Sequence, residues 1–217
     1  MPAPRERADL PYANHLEAFS GRLTSQGDYD TVVFEGEEFE EAEASNARFI
    51  ECVFSSMTFT GGHYPRARFS DVWVHTVRWV GSELTETTWL DAEVIDSALA
   101  GVAMFGSQMR RVTFYNCKFD GVNARTVTLQ DVAFVDCMLQ EVDLAGATLT
   151  NVTFPGSVLE RVRFDKAQMS KVDLRGAAAL GITDGYDALK GATISSAQLL
   201  ELAPMFAQIL GVTVKDD

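Results

Sequence analysis

The sequence predicts an all-β solenoid in which four-sided coils of twenty residues stack as parallel ladders. Three observations predict it. A large apolar residue recurs at every fifth position from Phe49 to Leu174, broken in size only at Ala124. A small or β-branched residue sits two places before each of these centres, as at Ala47, Cys52, Ala67, Val72, Val102, Val112, Cys117, Val132, Val152 and Val172, with Met57 the bulky exception. Gly61, Gly81, Gly101 and Gly121 recur at a spacing of twenty.

The period of five excludes the two regular elements. On an α-helix five residues advance the side-chain direction by about 140°, so the apolar positions would wander around the axis. On a strand five is odd, and successive large residues would land on opposite faces. A chain that turns a corner of about 90° every five residues instead points every centre at one axis. Four such sides close a coil, and coils about 4.8 Å apart pair as parallel strands. The glycines at intervals of twenty mark a corner that needs a permissive backbone. About seven coils follow, a rod of about 34 Å.

Composition sets the outer limits. The chain has 217 residues, 47% of them hydrophobic, and a net charge of −13. No apolar run is long enough to cross a membrane, and the opening MPAPRERADLPYANHL lacks the basic-then-apolar plan of a secretory signal, so a cytoplasmic location is expected. Binding to nucleic acid depends on Lys and Arg at phosphates, so no direct nucleic-acid binding is expected. The same charge allows the opposite relation, competition with nucleic acid for a basic surface, and also serves solubility.

The two ends do not repeat. Residues 1–30 read as an N-terminal cap segment, 31–180 as the solenoid, and 181–217 as a C-terminal capping and dimerisation unit. Glu37 falls on an inward position, where an unpaired charge is costly, so the first true coil is expected nearer Ala42. Ser195 or Ser196 can cap a helix over residues 197–210 that Gly211 closes, with Pro204 expected to kink or split it. The last apolar piece, VTV at 212–214, reads as a short strand.

No catalytic, cofactor or metal site is expected. His15, His63 and His75 do not converge, Cys117 and Cys137 stack as small buried hydrophobes, and turn chemistry explains DYD at 28–30 and DGYD at 184–187. Two surface columns are more informative. Glu51, Asp71, Asp91, Arg111, Asp131, Asn151 and Lys171 form one outward ladder, acidic in its first half. Glu35, Glu37, Glu38, Glu40, Glu41 and Glu43 add a dense cluster at the same end. The second column is apolar, with Ile95, Tyr115, Val135 and Pro155 flanked by Trp73. Such a stripe needs a cover, either the N-terminal segment with Leu16 and Phe19 or a partner. The C-terminal helix carries Leu199, Leu202, Phe206 and Leu210, a face wide enough to predict a homodimer.

The blocks EVDLAGATL (141–149), KVDLRGAAA (171–179) and NCKF (116–119) fit the pattern A(D/N)Lxx. On these blocks the chain resembles the pentapeptide-repeat family, whose fold is a right-handed quadrilateral β-helix. Its inward small position is more often Val than the family's Ala. Its acidity, uninterrupted rod and amphipathic C-terminal segment are similar to the Qnr and MfpA-like group, although the loops that interrupt Qnr coils are lacking. That resemblance implies a non-catalytic acidic rod, dimeric through its C-terminal helices, that occupies the DNA-binding saddle of a type II topoisomerase (DNA gyrase or topoisomerase IV) as a DNA mimic and modulates quinolone sensitivity. The partner surface would comprise Glu51, Asp71, Asp91, Asp131, Glu35, Glu38, Glu40 and Glu41. The alternative is a scaffold or regulatory module for an unknown protein partner.

Overall fold

The computed structural model describes residues 3–215. Along each face of the rod, a residue pairs with the one twenty places on. Tyr29 lies opposite Phe49, Phe49 opposite Phe69, Phe69 opposite Trp89, and the ladder continues in register to Met169. A second ladder begins with Phe34, Phe54 and Val74, and a third with Phe39, Phe59 and Trp79. The fourth face, centred on Tyr64 and Leu84, is narrower and holds only single bridges from Glu43 to Arg163. All the pairs are parallel. The architecture is a right-handed quadrilateral β-helix of about eight turns closed by one α-helix.

The corners share one backbone state. Every fifth residue from Gln26 to Lys171, two places after each inward centre, has φ between 45° and 71°. This left-handed conformation costs an L-residue with a Cβ about 1 kcal/mol or more. Asp, Asn and Gly bear it most easily, which explains their frequency here. Gly61, Gly81, Gly101 and Gly121 do hold φ of 61–64°, but Glu51, Arg111 and Lys171 adopt the same state without being glycine. The cost is offset along the axis. The corner N–H of Glu51 donates to the Ser70 carbonyl at 3.0 Å, that of Asp71 to Leu90 at 2.9 Å, and that of Asn116 to Val135 at 2.9 Å.

The interior is a set of side-chain columns. Phe34 stacks on Phe54 at 4.8 Å, and Phe114, Phe134 and Phe154 stack at successive centroid distances of 5.1 Å. Neighbouring columns meet edge to face, as Phe114 does with Phe119 at 5.2 Å. Both arrangements suit the ring quadrupole. Where the series is broken, at Ala124, a cavity of about 30 Å3 remains among Met104, Met109, Phe114, Leu129 and Leu144. The small inward positions also satisfy backbone groups. Ser97, Cys117, Cys137 and Ser157 form one column, in which Cys137 Sγ accepts from the Cys117 N–H at 3.4 Å and Ser157 Oγ from the Cys137 N–H at 2.9 Å.

Several details depart from the sequence expectation. Coiling starts before Ala42, because Glu37 is only half-buried and Phe39 already pairs with Phe59. On that face residues 38–40 form the first strand, so the Glu37 carboxylate reaches solvent at an open end. The extra coil raises the turn count above seven. The regular period ends where Leu159 pairs with Leu180, one residue out of step.

At the C-terminus α1 (Ser196–Ile209) runs through Pro204 without dividing. The carbonyl that Pro204 cannot serve belongs to Leu200, a residue 77% exposed, where water can satisfy it. Ser195 and Gln198 form a reciprocal cap at 2.8 and 3.2 Å. Gly211, at φ 67°, closes the helix with bonds from its own N–H to Gln208 and from the Val212 N–H to Ala207, a Schellman ending. Residues 212–214 are not a strand. No ladder edge meets them, and Val212 and Val214 are exposed.

Replacing Phe134 with Asp should bury a carboxylate between Phe114 and Phe154 and cost several kcal/mol, enough to abolish folding. Gln140→Asp, at a half-buried outward position, should shift the thermal midpoint little. Equal midpoints by circular dichroism would overturn the assignment of inward and outward residues.

Candidate functional site

The acidic ladder is a column of corners. Glu51, Asp71, Asp91, Arg111, Asp131, Asn151 and Lys171 all have φ between 50° and 55°. Carboxylates there therefore have a backbone reason as well as a surface one. The column also neutralises itself. Arg111 grips Asp91 with two bonds of 2.5 and 2.6 Å, and Asn151 donates to Asp131 at 2.7 Å. The Arg111 bonds hold the Asp91 carboxyl below its ordinary range, so the pair persists at neutral pH and is lost on acidification. Partial burial, and then the Asp91 charge, push Asp71 the other way.

A second cation enters from the N-terminus. Arg5 bonds Glu93 through Nε at 2.9 Å and through its backbone N–H at 3.1 Å, and shares one surface groove with Asp71, Asp91 and Arg111. It belongs to an arm, residues 3–16, that lies across the apolar stripe. Leu10 and Tyr12 are buried against Val33, Val53, Trp73, Ile95 and Tyr115, with Leu16 and Val135 partly buried beside them. Trp73 Nε1 donates to the Arg5 carbonyl at 3.1 Å, and Tyr12 Oη to the Asp71 carbonyl at 2.6 Å. Burial pushes the Tyr12 hydroxyl's pKa far up, so it remains a donor.

The cover is thus the N-terminal segment, with a different set of contacts from those the sequence suggested. Leu16 contributes at the margin. Phe19 turns instead into the open end of the core, 4.5 Å from the Phe34 ring. Leu10 and Tyr12 are not legible in the sequence, because a lone Leu or Tyr in a non-repeating preface carries no periodic signal.

The N-terminal coils keep their charge. Residues 28–51 carry nine carboxylates against Arg48 alone, whereas residues 158–191 carry six bases against five acids. Glu35 pairs with Arg7 at 3.3 Å, and Glu41 folds over Gly61 toward the Gly62 N–H at 3.4 Å. Glu37, Glu38 and Glu40 make no ion pair among the described residues. Nearby, His63 Nδ1 lies 2.8 Å from Glu83, and that bond, with the Glu43 charge, raises its pKa. At the far end Leu202 is buried in the core and Phe206 packs against it, while Leu199 and Leu210 are exposed. The four helix residues singled out by sequence therefore divide, two facing the rod and two facing solvent.

Among the described residues no cluster of His, Cys, Asp or Glu could hold a metal, and no helix is long and apolar enough to cross a membrane.

Residues 107–183 match the pentapeptide repeat region family model. The same corner geometry and ladder register extend well before that segment. Residues 107–183 are thus a pentapeptide-repeat region, set in a longer rod of the same coils. No curated protein matches it in sequence. Among solved structures it is similar to a trypsin-treated variant of QnrB1, a plasmid-mediated fluoroquinolone resistance protein, with a TM-score of 0.52 and 13% identity over 92% of this chain and 96% of that one. It also resembles HetL, a pentapeptide-repeat protein involved in heterocyst differentiation regulation from the cyanobacterium Nostoc sp. strain PCC 7120, at 14% identity, TM-score 0.40, over 79% and 91% of the two chains. At 13% identity the likeness to the QnrB1 variant is one of fold.

Deleting residues 1–16 should leave the β-sheet circular dichroism intact while exposing Trp73. Acrylamide should then quench one of the three tryptophans more strongly, since Trp79 and Trp89 lie inside the coils. Unchanged quenching would show that the arm is not the cover.

Proposed function

We propose that this protein is a non-catalytic interaction rod that binds a basic protein surface through its acidic N-terminal coils. The observation that carries this reading is the excess of carboxylates over residues 28–51, with Glu37, Glu38 and Glu40 lacking internal ion pairs. A fold gains nothing from such self-repulsion, whereas a basic partner would relieve it.

The partner we propose is a type II topoisomerase, DNA gyrase or topoisomerase IV, whose DNA-binding surface suits a rod bearing regularly spaced carboxylates. The fold likeness to a fluoroquinolone resistance protein supports the choice. Mimicry along the whole rod would need an unbroken row of charge. Arg111 and Lys171 interrupt the row and Arg5 intrudes on it, so the contact is assigned to Glu35, Glu37, Glu38, Glu40, Glu41 and Glu51. The same interruption favours a second reading, a regulatory scaffold for another basic protein.

A second copy of the chain completes the proposal. Leu199, Ala203 and Leu210 fall on one side of α1 by helical spacing, and Leu199, Leu200, Ile209 and Leu210 are 49–77% exposed. Light scattering should report a dimer, and Leu199→Glu with Leu210→Glu should give a monomer of unchanged circular dichroism. A dimer that survives both changes would rule out this helix as the interface.

In gyrase supercoiling assays micromolar protein should inhibit the reaction or protect it from a quinolone, and the effect should weaken with salt as screening sets in at about 8–10 Å. Changing Glu37, Glu38 and Glu40 to Gln should weaken it about tenfold or more, by analogy with lost interfacial charge contacts. Alanine at Glu51, Asp71 and Asp91 should matter less, because Asp91 is already matched by Arg111. No effect of the wild-type protein on supercoiling or drug sensitivity would leave the scaffold reading.

A further inference from the structure

The arginines of the rod are not all matched by acids, and one face gathers three of them. Along the rod, arginines are usually matched by an acid one coil away or close in sequence, as Arg111 is by Asp91, Arg161 by Glu141 at 2.8 Å and Arg175 by Asp173 at 2.7 Å. On the Phe49 face the matching is incomplete. Arg48 and Arg68 are direct ladder partners in successive coils. Like charges placed opposite each other destabilise a sheet. Arg48 has a loose pairing with Asp28 at 3.6 Å, and the Arg68 side chain has no hydrogen bond or ion pair among the described residues.

A third guanidinium stands beside them. Arg66, at the adjacent corner, is held from below by Asn46 Oδ1 at 3.0 Å and from above by Glu86 at 3.4 Å. Those bonds use Nε and Nη1. Asn46, Arg48, Arg66, Arg68, Glu86 and Thr88 together line one open groove of about 390 Å3. Three arginines and one glutamate leave it with two net positive charges in a chain whose total is −13. The guanidinium fork matches the spacing of two oxygens on a tetrahedral anion, and Thr88 adds a hydroxyl donor.

We propose that this groove binds a phosphate dianion, free or carried as a monoester on a small molecule, with Arg48, Arg66 and Arg68 as its charge partners. The groove adjoins the acidic N-terminal coils, from which Asn46 and Arg48 come, but includes none of Glu35, Glu37, Glu38, Glu40, Glu41 and Glu51, and it lies apart from α1. Bound phosphate would bridge the two stacked arginines and offset the repulsion between them.

The test is isothermal calorimetry and thermal unfolding of the full chain with inorganic phosphate up to about 10 mM, at ionic strength held constant with chloride, because a ligand that binds only the folded state raises the midpoint in a saturable way. Wild-type protein should show that rise. Arg68→Gln and Arg48→Gln should each weaken phosphate binding about tenfold or more, the loss expected for one charge-assisted contact. In phosphate-free buffer Arg68→Gln should unfold no lower than wild type, since it loses a repulsion and no bond. Arg125→Gln, exposed on another face, should bind as wild type does. Ribose 5-phosphate distinguishes the source: tighter binding than inorganic phosphate indicates an ester ligand, and equal binding the free anion. The proposal is overturned if wild type shows no saturable binding, or if Arg48→Gln and Arg68→Gln respond to phosphate as wild type does.

Discussion

The structure depends on one backbone event repeated every five residues. A residue in the left-handed region, with its N–H bonded to the coil beyond, turns the chain through a corner. Each turn costs about 1 kcal/mol in a residue other than glycine, so the path survives only because the next coil repeats it and supplies the carbonyl. A coil alone would have neither that acceptor nor a covered interior. Stability is therefore shared between neighbours, and each turn of the rod makes the next one possible.

The interior follows from that path. With the corners fixed, every fifth side chain must share a narrow axis with its counterparts twenty residues away. Flat rings solve the problem by stacking, as Phe114, Phe134 and Phe154 do. The smaller residue two places before each centre leaves room for the corner. At Ser97, Ser107, Cys137 and Ser157 it accepts from a backbone N–H as well. Ala124 shows the tolerance of the scheme, since one undersized centre leaves a small cavity and the register is unchanged.

The outer surface has more freedom, and function is to be sought there. On three sides of the N-terminal half the chain has arranged different chemistry: an apolar stripe under the arm, carboxylates at the open first coils, and arginines on the Phe49 face. The arm joins two of these, since Tyr12 and Arg5 anchor it on the rim of the acidic column. Covering the stripe this way removes an adhesive β-face and also spends part of the negative charge that a basic partner would meet.

The sequence by itself determined the coil. Its period of five, the glycines twenty apart and the small inward residues before each centre are local consequences of a path that repeats, so they remain visible in one dimension. Which residues point in and which point out followed directly. The sequence could also place the capping helix, because a cap at Ser195 and a stop at Gly211 each act on residues only a few places away. Only the tertiary structure decided what non-repeating segments touch. Leu10 and Tyr12 cover Trp73 across about sixty residues of chain, and no periodicity announces such a contact. It also decided that Asp91 faces Arg111 closely enough to be neutralised, that Leu202 and Phe206 turn inward while Leu199 and Leu210 do not, and that Arg48, Arg66 and Arg68 share one groove. These depend on rotamers and on packing at the ends of the rod, where the repeat that makes the sequence legible has stopped or has not begun.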